Sequence, residues 1–224
     1  EYFGTPLGET VSLGIHESQS RLWENNIGKS RPFWQYFYPK LQQRFPRPYK
    51  QVPFETFYQI INRVEPSFIR TESDEVTYNL HIILRFEIEK GLIEGKIKAK
   101  DLPEIWNAKI KEYLGLKVPN DRLGVLQDVH WSSGAIGYFP TYTLGNLYAA
   151  QLYHATKDQI KNLDQQVKRG DFTAIKDWLK TNIHAQGKLY TAEALVKKIT
   201  GEPLTTKYFI DYLKEKYQKE KQNI

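Results

Sequence analysis

The chain has 224 residues, a net charge of +6, 14% aromatic residues and no cysteine. Its length is ample to bury a core, and its content of large rings excludes a disordered chain despite the low mean hydropathy. No apolar run reaches bilayer length and no charged-then-apolar leader opens the chain, so a soluble protein is expected, without disulfides, thiolate nucleophiles or cysteine-held metal centres. The absence of methionine makes the opening "EYFGTPLGET" read as a fragment or a processed product.

In chain order, residues 9–28 read as an amphipathic helix ending near Gly28. A proline-punctuated aromatic connection follows, "RPFWQYFYPKLQQRFPRPYKQVP", with room for one short helix. Residues 54–63 read as a helix, and so do 74–90, which stop at Gly91 and have Thr71 and Ser73 as cap candidates. "KGLIEGKIKAKDLP" leaves room for a short β-hairpin. "DLPEIWNAKIKEYLG" opens with a capping box of Asp101 and Glu104 and ends at Gly115. Further helices are expected at about 142–163, 172–186, 191–200 and 206–222. No repeat or flexible linker divides the chain. The expectation is one mostly α-helical unit over residues 1–224, with about 172–224 as a terminal helical subregion.

The basic residues are dispersed. Their local concentrations, "KIKAK" (96–100) and "KYQKEKQ" (216–222), alternate with acids or fall near helix ends, where cations suit the dipole. A solvated surface is therefore expected rather than a nucleic-acid or membrane partner.

Three stretches place polar residues where simple packing would not. In "GIHESQSRLWEN" (14–25), Glu17 and Arg21 stand one helical turn apart, and Glu24 follows on the same row. Read by itself, this is either a metal-ligand helix or an ordinary ion-pair ladder. In "IRTESDEVTYNLH", Arg70 precedes a helix start and suits an anion, or simply pairs with Glu72 or Asp74. "GVLQDVHWSSGAIGYFPTYTLGN" gathers Gln127, Asp128, His130, Trp131, Tyr138 and Tyr142 among four glycines. A satisfied core histidine is the plain reading of His130. A glycine-rich backbone brought close to a ligand is the functional one. His81, His154 and His184 sit in helical patterns and receive no role.

Together the three stretches resemble the carboxypeptidase Taq family of metallocarboxypeptidases. The family's His-Glu-Ser-Gln signature matches "HESQ" at 16–19, and its Ile-Arg-x-x-Ala-Asp signature matches "IRTESD" at 69–74, with Ser73 where alanine is usual. Its Gly-x-x-Gln-Asp-x-His-Trp signature matches "GVLQDVHW" at 124–131. The resemblance covers essentially the whole chain. It implies a mostly helical, gluzincin-like fold and metal-assisted release of single C-terminal residues from peptides, with broad side-chain preference. It also implies a cytoplasmic homodimer and one zinc or cobalt ion.

In this family two histidines of a His-Glu-x-x-His helix and a later glutamate hold the metal, and the glutamate between those histidines acts as general base. The resemblance assigns the later glutamate to Glu17, with His16 as a neighbour. It assigns Arg70 to the substrate's terminal carboxylate, His130 and Tyr142 to the tetrahedral oxyanion with Tyr138 as the other candidate tyrosine, and Gln127 and Asp128 to orienting His130. No His-Glu-x-x-His occurs in the 224 residues. The chain is therefore expected to be the C-terminal part of such an enzyme. By itself it should bind no metal and lack activity, with its substrate groove facing the absent N-terminal part. The competing expectation is a non-catalytic helical scaffold or binding module.

Overall fold

The computed structural model describes residues 2–218. The described residues are helical or irregular, with no strand among them. In chain order the helices are α1 (Leu13–Arg21), α2 (Arg31–Arg44), α3 (Pro46–Tyr49), α4 (Phe54–Ile61), α5 (Tyr78–Ile93) and α6 (Leu102–Leu114). After a run of 3-10 turns come α7 (Pro140–Gln159), α8 (Leu163–Val167), α9 (Thr173–Asn182), α10 (Ala192–Thr200) and α11 (Lys207–Gln218). The last part of the expected helix at 206–222 lies outside the described residues. No helix among the described residues is long and apolar enough to cross a membrane.

The chain divides into two compact units, one made of residues up to 62 with those from 144 onward, the other of residues 63–143. In the first, Leu22, Leu152, Ile175, Leu179 and Val196 are fully buried in a single cluster. Each such side chain stabilises the fold by about 1.5–3 kcal/mol relative to exposure. α9 and α10 thus share a core with α1 and α7. In the second unit, Leu84 and Ile88 of α5 pack with Trp106, Ile110 and Leu114 of α6. Phe139, Tyr78 and Ile82 form a smaller cluster beside Trp131 and Tyr142.

Several boundaries differ from the sequence expectation. Residues 9–28 are not one helix: α1 starts at Leu13, where the Ser12 hydroxyl accepts from the Ile15 amide, and passes into a π-helical stretch at Leu22–Ile27. The proline-rich connection is in fact α2, which continues through Pro39. Its start is capped by Ser30, with Pro32 in the first turn, and buried Tyr38 stacks on Phe57 at 4.3 Å. Aromatic burial here overrides the loss of a helical donor at Pro39.

α5 begins at Tyr78 rather than Asp74. Asp74 folds the preceding turn instead, accepting from the amides of Val76 (2.8 Å) and Thr77 (2.9 Å), so neither Thr71 nor Ser73 acts as the cap. α5 also runs past Gly91, whose carbonyl accepts from the amides of both Lys96 and Ile97. That reversal replaces the short hairpin. Asp101 makes no side-chain cap to α6, so the expected capping box does not form, whereas Gly115 does terminate the helix.

Candidate active site

In the unit spanning residues 63–143, the sequence "YNLHIILRFEIE" builds α5 with two adjoining stripes. Leu84 and Ile88 face the apolar core, while His81, Arg85 and Glu89, spaced four residues apart, form a buried polar row beside them. Onto this row folds the segment 124–139, a chain of 3-10 turns that a sequence pattern cannot distinguish from a surface loop.

The row holds that segment at several points. Arg85 and Asp128 are 1% and 2% exposed, and Nε of Arg85 lies 3.7 Å from Oδ2 of Asp128. The guanidinium also sits 4.5 Å from the centre of the Trp106 ring. Oδ1 of Asp128 accepts from the backbone amides of His130 (2.9 Å) and Trp131 (3.0 Å). Glu89 accepts from Nε1 of Trp131 at 2.9 Å and from the Gly137 amide at 2.7 Å.

The residues expected at the substrate side converge on these supports. Nε2 of His130 and the hydroxyl of Tyr142 share a hydrogen bond at 3.0 Å, and the His130 ring lies 4.5 Å from Phe139 and 5.6 Å from Tyr138. Arg70 donates from Nη1 to the Tyr78 hydroxyl at 2.9 Å, and its guanidinium lies 4.7 Å from the Tyr142 ring centre. Its described hydrogen bond goes to neither Glu72 nor Asp74. Arg70, Tyr78, His130, Tyr138 and Tyr142 thus form one contiguous polar and aromatic cluster. Burial first, and then the Arg70 cation, hold the His130 imidazole below its ordinary value. It is neutral at pH 7, a form that can donate from one nitrogen and accept at the other.

Asp128 and Gln127, expected to orient His130, make no described hydrogen bond to its ring. Asp128 braces the backbone on either side of His130, and the ring itself bonds to Tyr142. Gln127 donates to the Arg122 carbonyl at 2.7 Å. Tyr78, His81, Arg85 and Glu89 were not singled out by the sequence reading. The signal for His81, Arg85 and Glu89 is the four-residue spacing of ionisable groups on a strongly apolar helix, a pattern that more often marks a solvated face.

Glu17 belongs to the other unit. Its Oε1 accepts from Nε of Arg21 at 2.8 Å, and Nη1 of Arg21 reaches Glu24 at 2.9 Å, so the ion-pair ladder is present. His16 is exposed, whereas Ser18 is fully buried. Gln19 of the same motif bonds to Ser18 and to Nε2 of His184 (3.0 Å). α7 crosses α1 here. A Cβ on Gly145 would lie 2.5 Å from Cγ and 2.8 Å from Cβ of Glu17, so only glycine allows this approach.

Among the described residues, no group of three or more His, Cys, Asp or Glu side chains could hold a metal ion. A tetrahedral catalytic site needs three protein ligands, and the described residues gather no such set around Glu17. The residues present do not by themselves fit a metal. A cavity of about 700 Å³ elsewhere in the first unit is lined by Arg31, Glu55, Lys157 and Asp164 among others. Of its cations, Arg31 pairs with Glu55 at 2.6 Å, Lys157 with Asp164 at 3.5 Å, and Lys216 donates to the Tyr212 hydroxyl at 3.1 Å.

Comparison with known proteins agrees with the three motifs. The family model described as "Carboxypeptidase Taq (M32) metallopeptidase" matches residues 1–217. Thermostable carboxypeptidase 1 of Thermus thermophilus is 46% identical over 217 residues, which cover 97% of this chain and 42% of that protein. Carboxypeptidase 1 of Bacillus subtilis is 45% identical, over 96% of this chain and 43% of that protein. The crystal structure of the M32 carboxypeptidase from Deinococcus radiodurans R1 superposes with a TM-score of 0.94 at 43% identity, covering 97% of this chain and 44% of that one. The chain therefore spans less than half the length of these relatives. A family match over residues 1–217, with relatives at 45–46% identity across nearly all of this chain, shows that the chain belongs to the carboxypeptidase Taq (M32) family of metallopeptidases.

Proposed function

We propose that this chain is the C-terminal part of a metallocarboxypeptidase that releases single residues from the free C-terminus of peptides. The observation that carries this reading is the cluster of Arg70 with neutral His130 and Tyr142 in one half-buried place. A carboxypeptidase must recognise a carboxylate and stabilise an oxyanion one bond away, and these are the group types for the two tasks.

Arg70 binds the terminal carboxylate. Its described hydrogen bond uses Nη1 on Tyr78, which fixes the plane of the guanidinium and leaves further N–H donors for a bidentate contact. The hydrogen-bonded His130–Tyr142 pair presents a proton to the oxygen of the scissile carbonyl as charge develops there. Tyr138, whose ring centre lies 5.6 Å from that of His130 and 5.4 Å from that of Tyr142, bounds the space beside them. Glu17 is one ligand of the enzyme's divalent metal, zinc or cobalt, with Arg21 holding its carboxylate in orientation. The two histidine ligands and the general base come from a His-Glu-x-x-His segment that this sequence does not contain. The chain by itself is accordingly inactive and metal-free. Broad side-chain preference, a cytoplasmic location and a homodimer complete the proposal on the strength of the family resemblance.

The test is the release of the last residue from peptide pairs that differ only in a free or amidated C-terminus, using the complete enzyme and the 224-residue chain. The proposal predicts release from the free acid alone, by the complete enzyme alone. Equal cleavage of the amide, or internal cleavage, would remove Arg70 from its assigned role. No release by the complete enzyme would favour a binding module.

A further inference from the structure

Glu89 stands apart in the polar row of α5. It is 4% exposed, and among the described residues no cation forms an ion pair with it. Its two oxygens are each used by a different limb of the same loop: Oε2 accepts from the side chain of Trp131, and Oε1 accepts from the backbone of Gly137. Burying a carboxylate without a cation is costly, so its retention calls for something an uncharged side chain cannot do. A carboxylate accepts at both oxygens, whereas a glutamine in the same place would turn its own N–H donors toward one of the two donors.

The two anchored residues flank the reactive cluster in sequence. Trp131 follows His130 directly, and Gly137 directly precedes Tyr138. Gly137 sits at φ +77°, a conformation that makes the bend by which the loop returns toward α7. Between the anchors, Gly134 and Ile136 are exposed, and the hydrogen bonds of the intervening residues close turns within the loop, such as those from the amides of Gly134 and Ala135 to the carbonyls of Trp131 and His130.

We infer that Glu89 is a positioning residue for the reaction, a buried carboxylate that clamps Trp131 and Gly137 together and so sets the placement of His130 against Tyr142. This rests on the proposed roles of His130 and Tyr142. The described hydrogen bonds of Glu89 go to Trp131 and Gly137 rather than to either of those rings. It acts by fixing the backbone that carries one of them and leads into the helix that carries the other.

The experiment compares Glu89→Gln, Trp131→Phe and His130→Ala in the complete enzyme. It measures kcat and KM on a peptide with a free C-terminus, along with the folded fraction by circular dichroism and metal content by elemental analysis. Glu89→Gln is expected to fold, keep its metal and KM, and lose about 10- to 100-fold in kcat, the scale of a misplaced catalytic group. A folded Glu89→Gln enzyme with wild-type kcat overturns the inference. So does one whose folded fraction falls while kcat per folded molecule stays the same, because that is a purely structural role. If Glu89→Gln does not fold, Trp131→Phe decides. It removes the Nε1 donor together with part of the ring that packs near Trp106 and Phe139, so kcat is read per folded molecule: lower kcat at unchanged KM supports the clamp, and unchanged kcat sinks it. Full activity in His130→Ala would instead refute the assignment of His130 itself. Loss in His130→Ala without loss in the folded clamp variants refutes the clamp alone.

Discussion

The Tyr142 hydroxyl lies 3.0 Å from Nε2 of His130, joining the first turn of α7 to the loop pinned against α5. Both residues are candidates in the sequence, twelve positions apart, and the fold brings them into hydrogen-bond contact. Removing the hydroxyl in Tyr142→Phe keeps the ring packing against Arg70 and Tyr138 and deletes the donor alone. The expected result is a fall in kcat of about 100-fold with KM nearly unchanged, the range seen when one oxyanion donor is lost. Steady-state kinetics decide it: a rise in KM at constant kcat would move Tyr142 from the transition state to ground-state binding.

Arg70→Lys keeps the charge but loses the planar fork and the geometry of the bond to Tyr78. Affinity for peptides with a free C-terminus should fall about 10-fold or more, the worth of a charge-assisted hydrogen bond of about 1.5–3 kcal/mol. The preference for free acid over amide should shrink by the same factor. Comparing kcat/KM for the matched peptides checks both statements, and an unchanged preference contradicts the role.

His81 gives a prediction for stability. Burial first, and the Arg85 cation next, lower its imidazole to about 4. The unfolded chain then binds the proton more readily than the folded one between about pH 6.5 and pH 4. Folded-state stability from this group is complete above the upper limit and is lost as pH falls through that window. The loss is on the order of 2–3 kcal/mol. Urea denaturation at pH 7 and pH 4.5 should show a smaller acid loss in His81→Gln than in the wild type, and equal losses would remove His81 as the cause.

For the fold, periodicity and glycine punctuation locate α6 and α10 closely, because each carries a clear apolar stripe bounded by a glycine, whereas α9 ends at Asn182, four residues before the expected end. The same logic fails at α2. Two prolines and a run of aromatics suggest a connection, and only tertiary burial of Tyr38 against Phe57 makes the helix stable. For the site, the motif residues Arg70, His130 and Tyr142 are legible because each lies in a stretch that packing does not explain. Arg85 and Glu89 are not, because a buried charge on a helix looks like a surface charge until its partners 43 and 48 residues onward, Asp128 and Gly137, are brought to it.

Gly145→Ala tests the packing beneath Glu17. Alanine would gain up to about 1 kcal/mol of helix propensity, but its Cβ meets Glu17 at distances no real contact tolerates, and overpacking of this kind costs typically about 1–3 kcal/mol. The balance is a modest loss of stability together with displacement of the Glu17 carboxylate. The complete enzyme should then retain metal less tightly, which a competition with a chelator measures. Wild-type retention would show that α1 holds Glu17 without help from α7.

The most direct measurement of the account is metal content by elemental analysis after zinc addition and desalting. Three proteins are compared: the complete enzyme, its Glu17→Ala variant and the 224-residue chain. The account predicts one equivalent on the complete enzyme, a large loss in the variant and none on the chain. A tightly held ion on the chain alone, or full retention in Glu17→Ala, would contradict it, because the metal would then be held by residues other than those the family resemblance assigns.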